Sequence, residues 1–258
     1  LTRGGPVVMR NGYNYAQVEV STDARQRAVF DINVQTSKGI GADTHSFGIQ
    51  PGVALKPAAN VFISLSPSYS YDESPAQYLE AVADTTAKSF YGNRYVFALL
   101  KSHTLSLDTR VNWTFTPNLT LQIFAQPFIA SGAFSSFREF AAPRTARKVI
   151  YGQDVGTIVR APATATSGAT YTVDPDGTAG PASPFTFADP DFTFRSLIGN
   201  AVLRWEYRPG STVFFVWTQN RTGSDTNGDF DFGRQRTQIF RDRPTNVFQV
   251  KVNYWLGR

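Results

Sequence analysis

The chain has 258 residues, 14% of them aromatic and only 17% charged, with a net charge of +5. So aromatic a chain with so little charge does not have the composition of a disordered segment, and its longest unbroken apolar run, Tyr95–Leu100, is about a third of what a membrane-spanning helix needs. Zero cysteines exclude disulfide frameworks, thiolate metal sites and thiol nucleophiles, and a mild basic excess without a concentrated stripe or recognisable module argues against a nucleic-acid partner.

Helical periodicity is nearly absent and two-residue alternation is nearly everywhere. Strands are predicted at 12–21 and 27–37, where Phe30, Ile32 and Val34 oppose Asp31, Asn33 and Gln35. At 44–55, Phe47, Ile49, Val53 and Leu55 alternate with polar or small residues, and at 61–71, Val61, Ile63, Leu65, Tyr69 and Tyr71 oppose a row of serines. Further strands are expected at 104–116, 118–130, 195–208, 211–222 and 245–256, making nine. Residues 76–101 read as a hairpin that carries two of the strands onward. Short connections such as Thr116-Pro117-Asn118 and Arg208-Pro209-Gly210-Ser211 have tight-turn chemistry. They alternate with long ones near 72–94, 131–193 and 223–244.

Such strands fit a soluble sandwich with its apolar face inward or a membrane barrel with its apolar face outward. Three features favour the barrel. Trp113, Phe115, Trp205, Tyr207, Tyr254 and Trp255 gather beside the short turns, while Tyr69 and Tyr71 mark the far end of their strand, as interfacial aromatic girdles do. The polar faces mix small residues with charges of both signs, which suits a wet lumen. The lack of cysteine, with a single methionine, is also compatible. The expected fold is therefore all-β, the C-terminal part of an antiparallel transmembrane β-barrel. Nine strands put Leu1 at the outer side, so at least one strand is expected upstream.

Four blocks are distinctive together: Leu1–Pro6, Thr114–Gly132 (TFTPNLTLQIFAQPFIASG), Asn200–Gln219 (NAVLRWEYRPGSTVFFVWTQ) and Asn246–Leu256 (NVFQVKVNYWL). They resemble the C-terminal region of an uncharacterised bacterial family whose members begin with a carbohydrate-binding-like module of family nine. The resemblance implies an outer-membrane barrel-like region with that module upstream of Leu1. The family has no established activity, and no catalytic residue carries over.

Alternation assigns Arg27, Asp31, Asp108, Arg110, Arg204, Glu206 and Lys251 to the lumen side, where they would set the field of a channel; a one-residue register slip would overturn that assignment. The expected function is passage of a polar solute, with oligosaccharide one such class, across the outer membrane of a Gram-negative-type bacterium. The alternative is a closed anchor that displays the upstream module. A barrel-wall hydrolase around His103, Ser102 and Ser106 is weaker, because His103 and Asp108 are five residues apart on one strand and no nucleophile signature marks a serine. Expected partners are outer-membrane lipid, lipopolysaccharide and the barrel-assembly machinery during insertion, with no cofactor. Arg138, Arg144 and Arg147 in one long loop, and Arg234 and Arg236 in another, could grip lipopolysaccharide phosphates. Asp225, Asn227, Asp229 and Asp231 resemble half of a calcium loop, but the position for a closing bidentate glutamate is Arg236. The pairs Asp174/Asp176 and Asp189/Asp191 are suited to turns more than to acid–base work.

Overall fold

The computed structural model describes residues 1–42 and 44–256. Its organising element is a single antiparallel meander. The strands are β1 (Tyr13–Ser21), β2 (Ala28–Gly39), β3 (His45–Ala58), β4 (Val61–Ala83), β5 (Asn93–Thr116) and β6 (Leu119–Phe140). After β6 come the short β7 (Lys148–Ile150), β8 (Thr157–Ala161), β9 (Thr170–Asp174) and β10 (Phe185–Ala188), and the meander resumes with β11 (Phe192–Arg208), β12 (Ser211–Asp225) and β13 (Thr245–Asn253). Hydrogen-bonded order is β1-β2-β3-β4-β5-β6-β11-β12-β13, with β7 appended to β6, while β8–β10 form a separate three-stranded sheet. A ten-residue helix, α1 (Phe232–Arg241), interrupts the β12–β13 connection. It is too short to cross a membrane, as is every helix among the described residues.

Nine strands were expected and nine form the meander. However, the sheet is open: β1 pairs only with β2 and β13 only with β12, so the described residues do not close a barrel. Because each neighbour is antiparallel, the first and ninth strands run in the same direction.

Register carries the alternation across the whole sheet. Leu55, Ile63, Val111, Ile123, Ala201, Trp217 and Phe248 are successive cross-strand partners, so they share one face. Ala54, Ser64, Arg110, Phe124, Asn200 and Thr218 run parallel to them on the other. One face is thus apolar and the other largely hydroxyl, amide and charge. On the polar face Gly52 opposes Asp31, and a Cβ there would lie 2.4 Å from the Asp31 carboxylate. Glycine leaves that carboxylate room to lie over the strand.

Strand lengths are uneven: β1 and β13 have 9 residues each, whereas β4, β5 and β6 have 23, 24 and 22. Pairing of β4 with β5 runs on through Ala83↔Asn93. The connection between them is therefore residues 84–92: the long connection expected near 72–94 is shorter, its 72–83 stretch is strand, and residues 76–101 form the expected hairpin. Bulges at Ser74/Gln77 and Tyr78/Glu80 take up its irregular composition.

This extension is where the buried core lies. Val96, Ala98, Phe137, Tyr151, Val173 and Phe187 pack the β8–β10 sheet against the polar-face side of β5 and β6. On the opposite side Tyr95, Phe97 and Phe140 hold the N-terminal segment through Leu1 and Val8. Below the extension the sheet is a single layer, with Trp113, Phe115, Trp205, Phe215 and Phe248 all exposed.

Phe97 is fully buried and meets Phe140 edge to face at 5.1 Å. Phe97→Ala is expected to destabilise the protein by about 3–5 kcal/mol through the lost contacts and the residual cavity, measured by urea unfolding followed by tryptophan fluorescence.

Candidate functional site

The polar face carries most of the residues singled out by alternation. Asp31 is exposed on β2 and Asp108 lies on β5, where its Oδ1 accepts from Gln126 Nε2 at 2.6 Å. Arg110 sits over the Phe124 ring at 5.3 Å. Arg204 and Glu206 pair at 2.9 Å on β11, and Lys251 is exposed on β13. Arg27 lies just outside β2, in the exposed turn that joins it to β1, with its carbonyl accepting from the Lys56 amide. Among the described residues, Asp31, Asp108, Arg110 and Lys251 make no ion pair. Between them the face is lined by Ser64, Ser66, Ser68, Asn112, Gln122 and Asn200. The face thus combines uncharged hydroxyls and amides with a few charges.

A second polar cluster sits on the apolar face, at the end of the band away from the short turns. Tyr71 donates to Glu73 at 2.6 Å, the His45 amide donates at 3.0 Å, and Lys101 lies 3.3 Å away. Burial alone would raise the Glu73 carboxyl; the hydrogen bonds from Tyr71, the His45 amide and Lys101 outweigh it and hold the group below its usual range. Tyr69 bonds His103 Nδ1 at 2.9 Å. Phe230 stacks on His103 at 5.2 Å. Ser102 and Ser106 alternate to the opposite face from His103, and Ser102 Oγ donates to the Asp72 carbonyl. Neither Ser102 nor Ser106 is therefore brought to His103; the serine in register with it is Ser131 on β6.

The long-loop residues divide. Arg138 donates to the Ser136 and Pro75 carbonyls. Arg144 has left-handed backbone (φ 56°) and donates its amide to Val7, whereas Arg147 is exposed. Arg234 and Arg236 lie on α1, a helix that the sequence reading overlooked. Asp225, Asn227, Asp229 and Asp231 do not converge on one point. Asp225 accepts from the Asn227 amide and pairs with Arg195, Asn227 Oδ1 accepts from the Asp229 amide, and Asp231 caps α1 through the Arg234 amide. Among the described residues, no three acidic or histidine side chains are grouped to hold a metal ion. Asp174 and Asp176 accept from the Gly177 and Ala182 amides, Asp189 pairs with Arg160, and Asp191 accepts from the Phe134 amide, which is turn and loop anchoring.

Beyond the single layer, Arg94 bridges Asp84 at 2.5 Å and Glu139 at 2.8 Å, and Tyr151 donates to Glu139 at 2.9 Å. This network bolts β5 to β6 and to the loop that follows it.

These features define an all-β antiparallel meander with one apolar and one polar face. The family described as Domain of unknown function (DUF5916) matches residues 163–257, from just before β9 through β13. The blocks Asn200–Gln219 and Asn246–Leu256 lie inside that stretch, and Leu1–Pro6 and Thr114–Gly132 lie outside it. The match extends to an uncharacterised domain and says nothing of an upstream module. No curated protein and no solved structure matches the chain.

Asp84 is nearly buried, and burial alone would raise its carboxyl; the bonds from Thr86 and Arg94 win and hold it below the usual value of 3.8. A carboxyl depressed on folding stabilises fully above its unfolded-state value and loses that contribution as the pH falls through its folded-state value. Asp84→Asn is therefore expected to lower stability at neutral pH and to flatten the loss below about pH 4. Urea titrations at neutral pH and near pH 3 check this; an unchanged acid slope would remove Asp84 from the account.

Proposed function

We propose that the nine-stranded sheet is part of an antiparallel transmembrane β-barrel of a Gram-negative-type outer membrane, apolar face to lipid and polar face to a water-filled lumen, and that it passes a polar solute of the oligosaccharide class. The observation that carries this reading is the single layer below the strand extension. A soluble sandwich must cover its apolar face with a second sheet. Here the row from Leu55 to Phe248 has no covering layer, while aromatic pairs such as Trp113–Phe115 and Trp205–Tyr207 sit beside the short turns. A continuous exposed apolar face of this extent calls for lipid or a partner.

Strand direction supports a larger barrel. Since β1 and β13 run the same way, they can join by antiparallel pairing only through an odd number of further strands. Barrel-assembly machinery would insert the whole. The unpaired charges on the polar face favour an open lumen over a neutralised, closed one. The β8–β10 sheet, packed on the polar-face side of the extension, favours a second reading in which the barrel is a closed anchor displaying an upstream module.

Cysteine is absent from the chain, so single-cysteine spin labels along β12 report each position cleanly. In vesicles, labels at 213, 215 and 217 are expected to be accessible to oxygen, and labels at 212, 216 and 218 to a water-soluble nickel complex. Loss of this two-residue period would overturn the membrane reading. Planar-bilayer recordings of the full-length protein should then show discrete conductance steps that oligosaccharides block and that Asp31→Asn with Asp108→Asn shifts toward anion selectivity. Silence from inserted protein would leave the anchor.

A further inference from the structure

The α1 segment occupies an unexpected side of the sheet. Every side chain that holds it belongs to the apolar alternation. Phe230 packs on His103 and Tyr69, which share a face with Leu105 and Leu107. Thr193 Oγ1 donates to the Asn227 carbonyl, and Thr193 is the cross-strand partner of Ser131, itself opposite His103. Arg195 clamps Asp242 at 2.7 and 3.0 Å and reaches Gln235 at 3.3 Å. Arg221, in register with Leu197, donates to the Phe240 and Asp242 carbonyls. The helix is thus fastened to the outside of the proposed barrel, at the end of the apolar band marked by Tyr69 and Tyr71.

Its sequence fits that place. Gln235 and Ile239, one turn apart, are buried against the sheet. Phe232, Arg236 and Phe240 make a second stripe, also at four-residue spacing, along the flank of the helix beside the buried one: Phe232 is 49% exposed and Phe240 64%. The Arg236 guanidinium lies 5.8 Å over the Phe232 ring. Among the described residues, Arg236, Arg241 and Arg243 have no carboxylate within ion-pair distance. Exposed rings beside unpaired guanidiniums, continuous with an apolar band beneath, match the boundary between acyl chains and anionic headgroups.

We propose that α1 is an interfacial helix whose Phe232 and Phe240 rings enter the outer edge of the acyl layer, while Arg236 and Arg241 bind the phosphate groups of membrane lipid. This rests on the membrane reading above. It also separates the two arginine groups of the sequence. Arg138, Arg144 and Arg147 of the β6–β7 region lie at the extension, away from the apolar band, and those of α1 lie at its end.

The test uses the full-length protein in phosphatidylcholine vesicles with a minor fraction of phosphatidic acid. A spin label at Phe240→Cys should be more accessible to oxygen than to the nickel complex. Spin-labelled phosphatidic acid should be retained in the protein's first lipid shell in preference to spin-labelled phosphatidylcholine, and Arg236→Gln with Arg241→Gln should weaken that preference about fivefold per arginine. A water-like signal at position 240, or an unchanged lipid preference, in protein that keeps the two-residue period along β12 overturns the helix assignment alone. Competition by inorganic phosphate in place of lipid also overturns it, since it would mark a soluble-anion site. Loss of the β12 period sinks the membrane reading and the helix assignment with it.

Discussion

An unbroken antiparallel ladder commits each side chain of nine strands to one of two faces, and everything else about the molecule follows from that commitment. Each backbone amide inside the sheet is answered by a neighbour, so a side chain can change face only where the ladder slips. The slips are few: at the short turns, and where β4 and β6 climb into the extension. Between them the register is continuous, and a contiguous apolar surface is the unavoidable product of sequence alternation and pairing together.

The same constraint explains why the hydrophobic core is where it is. A single twisted layer has no interior, so burial requires something laid across it. The chain supplies this on the extension, with β8–β10 on one side and the N-terminal segment on the other, and again where α1 lies across β11 and β12. There polar groups are withdrawn from water and must be answered. Arg94 meets two carboxylates, and Tyr151, raised far above its usual range chiefly by burial, donates to Glu139. In the lower layer Arg204 pairs with Glu206 alone, and among the described residues no comparable network forms there.

Most of the sheet was legible from sequence because a half-exposed strand writes its two-residue period directly. Ser64, Ser66 and Ser68 against Ile63, Leu65 and Pro67 leave little choice of structure. The extension was less legible. Strands there are covered on both faces, so Tyr95–Leu100 is uniformly apolar and shows no period. The β8–β10 sheet was missed because its strands have four or five residues, too short to establish alternation amid glycine, proline and aspartate. The helix α1 was missed for a different reason. Phe232, Ile239 and Phe240 do fall on one side of it, but at ten residues among arginines and glycine the period is too brief to stand out from the loop. Asp231 before Phe232 was the available signal, an N-cap obscured by its resemblance to a calcium-loop ligand. The polar-face residues followed from alternation alone. The Glu73 cluster joins three strands, and only register brings it together.

The unequal strand lengths have a consequence for how anything reaches the polar face. At about 3.3 Å per residue the middle strands stand roughly 80 Å tall and the edge strands roughly 30 Å. The rim is therefore a parapet on one side and a sill on the other, and the low point falls at the two strands whose outer edges are unpaired. On the described sheet the β4–β6 wall and its packed layers overhang the polar face at that end, whereas no strand of the extension stands beside β1 or β13. Whatever approaches the polar face from that end therefore meets the extension first, and the sheet's two sides present it with walls of very different height.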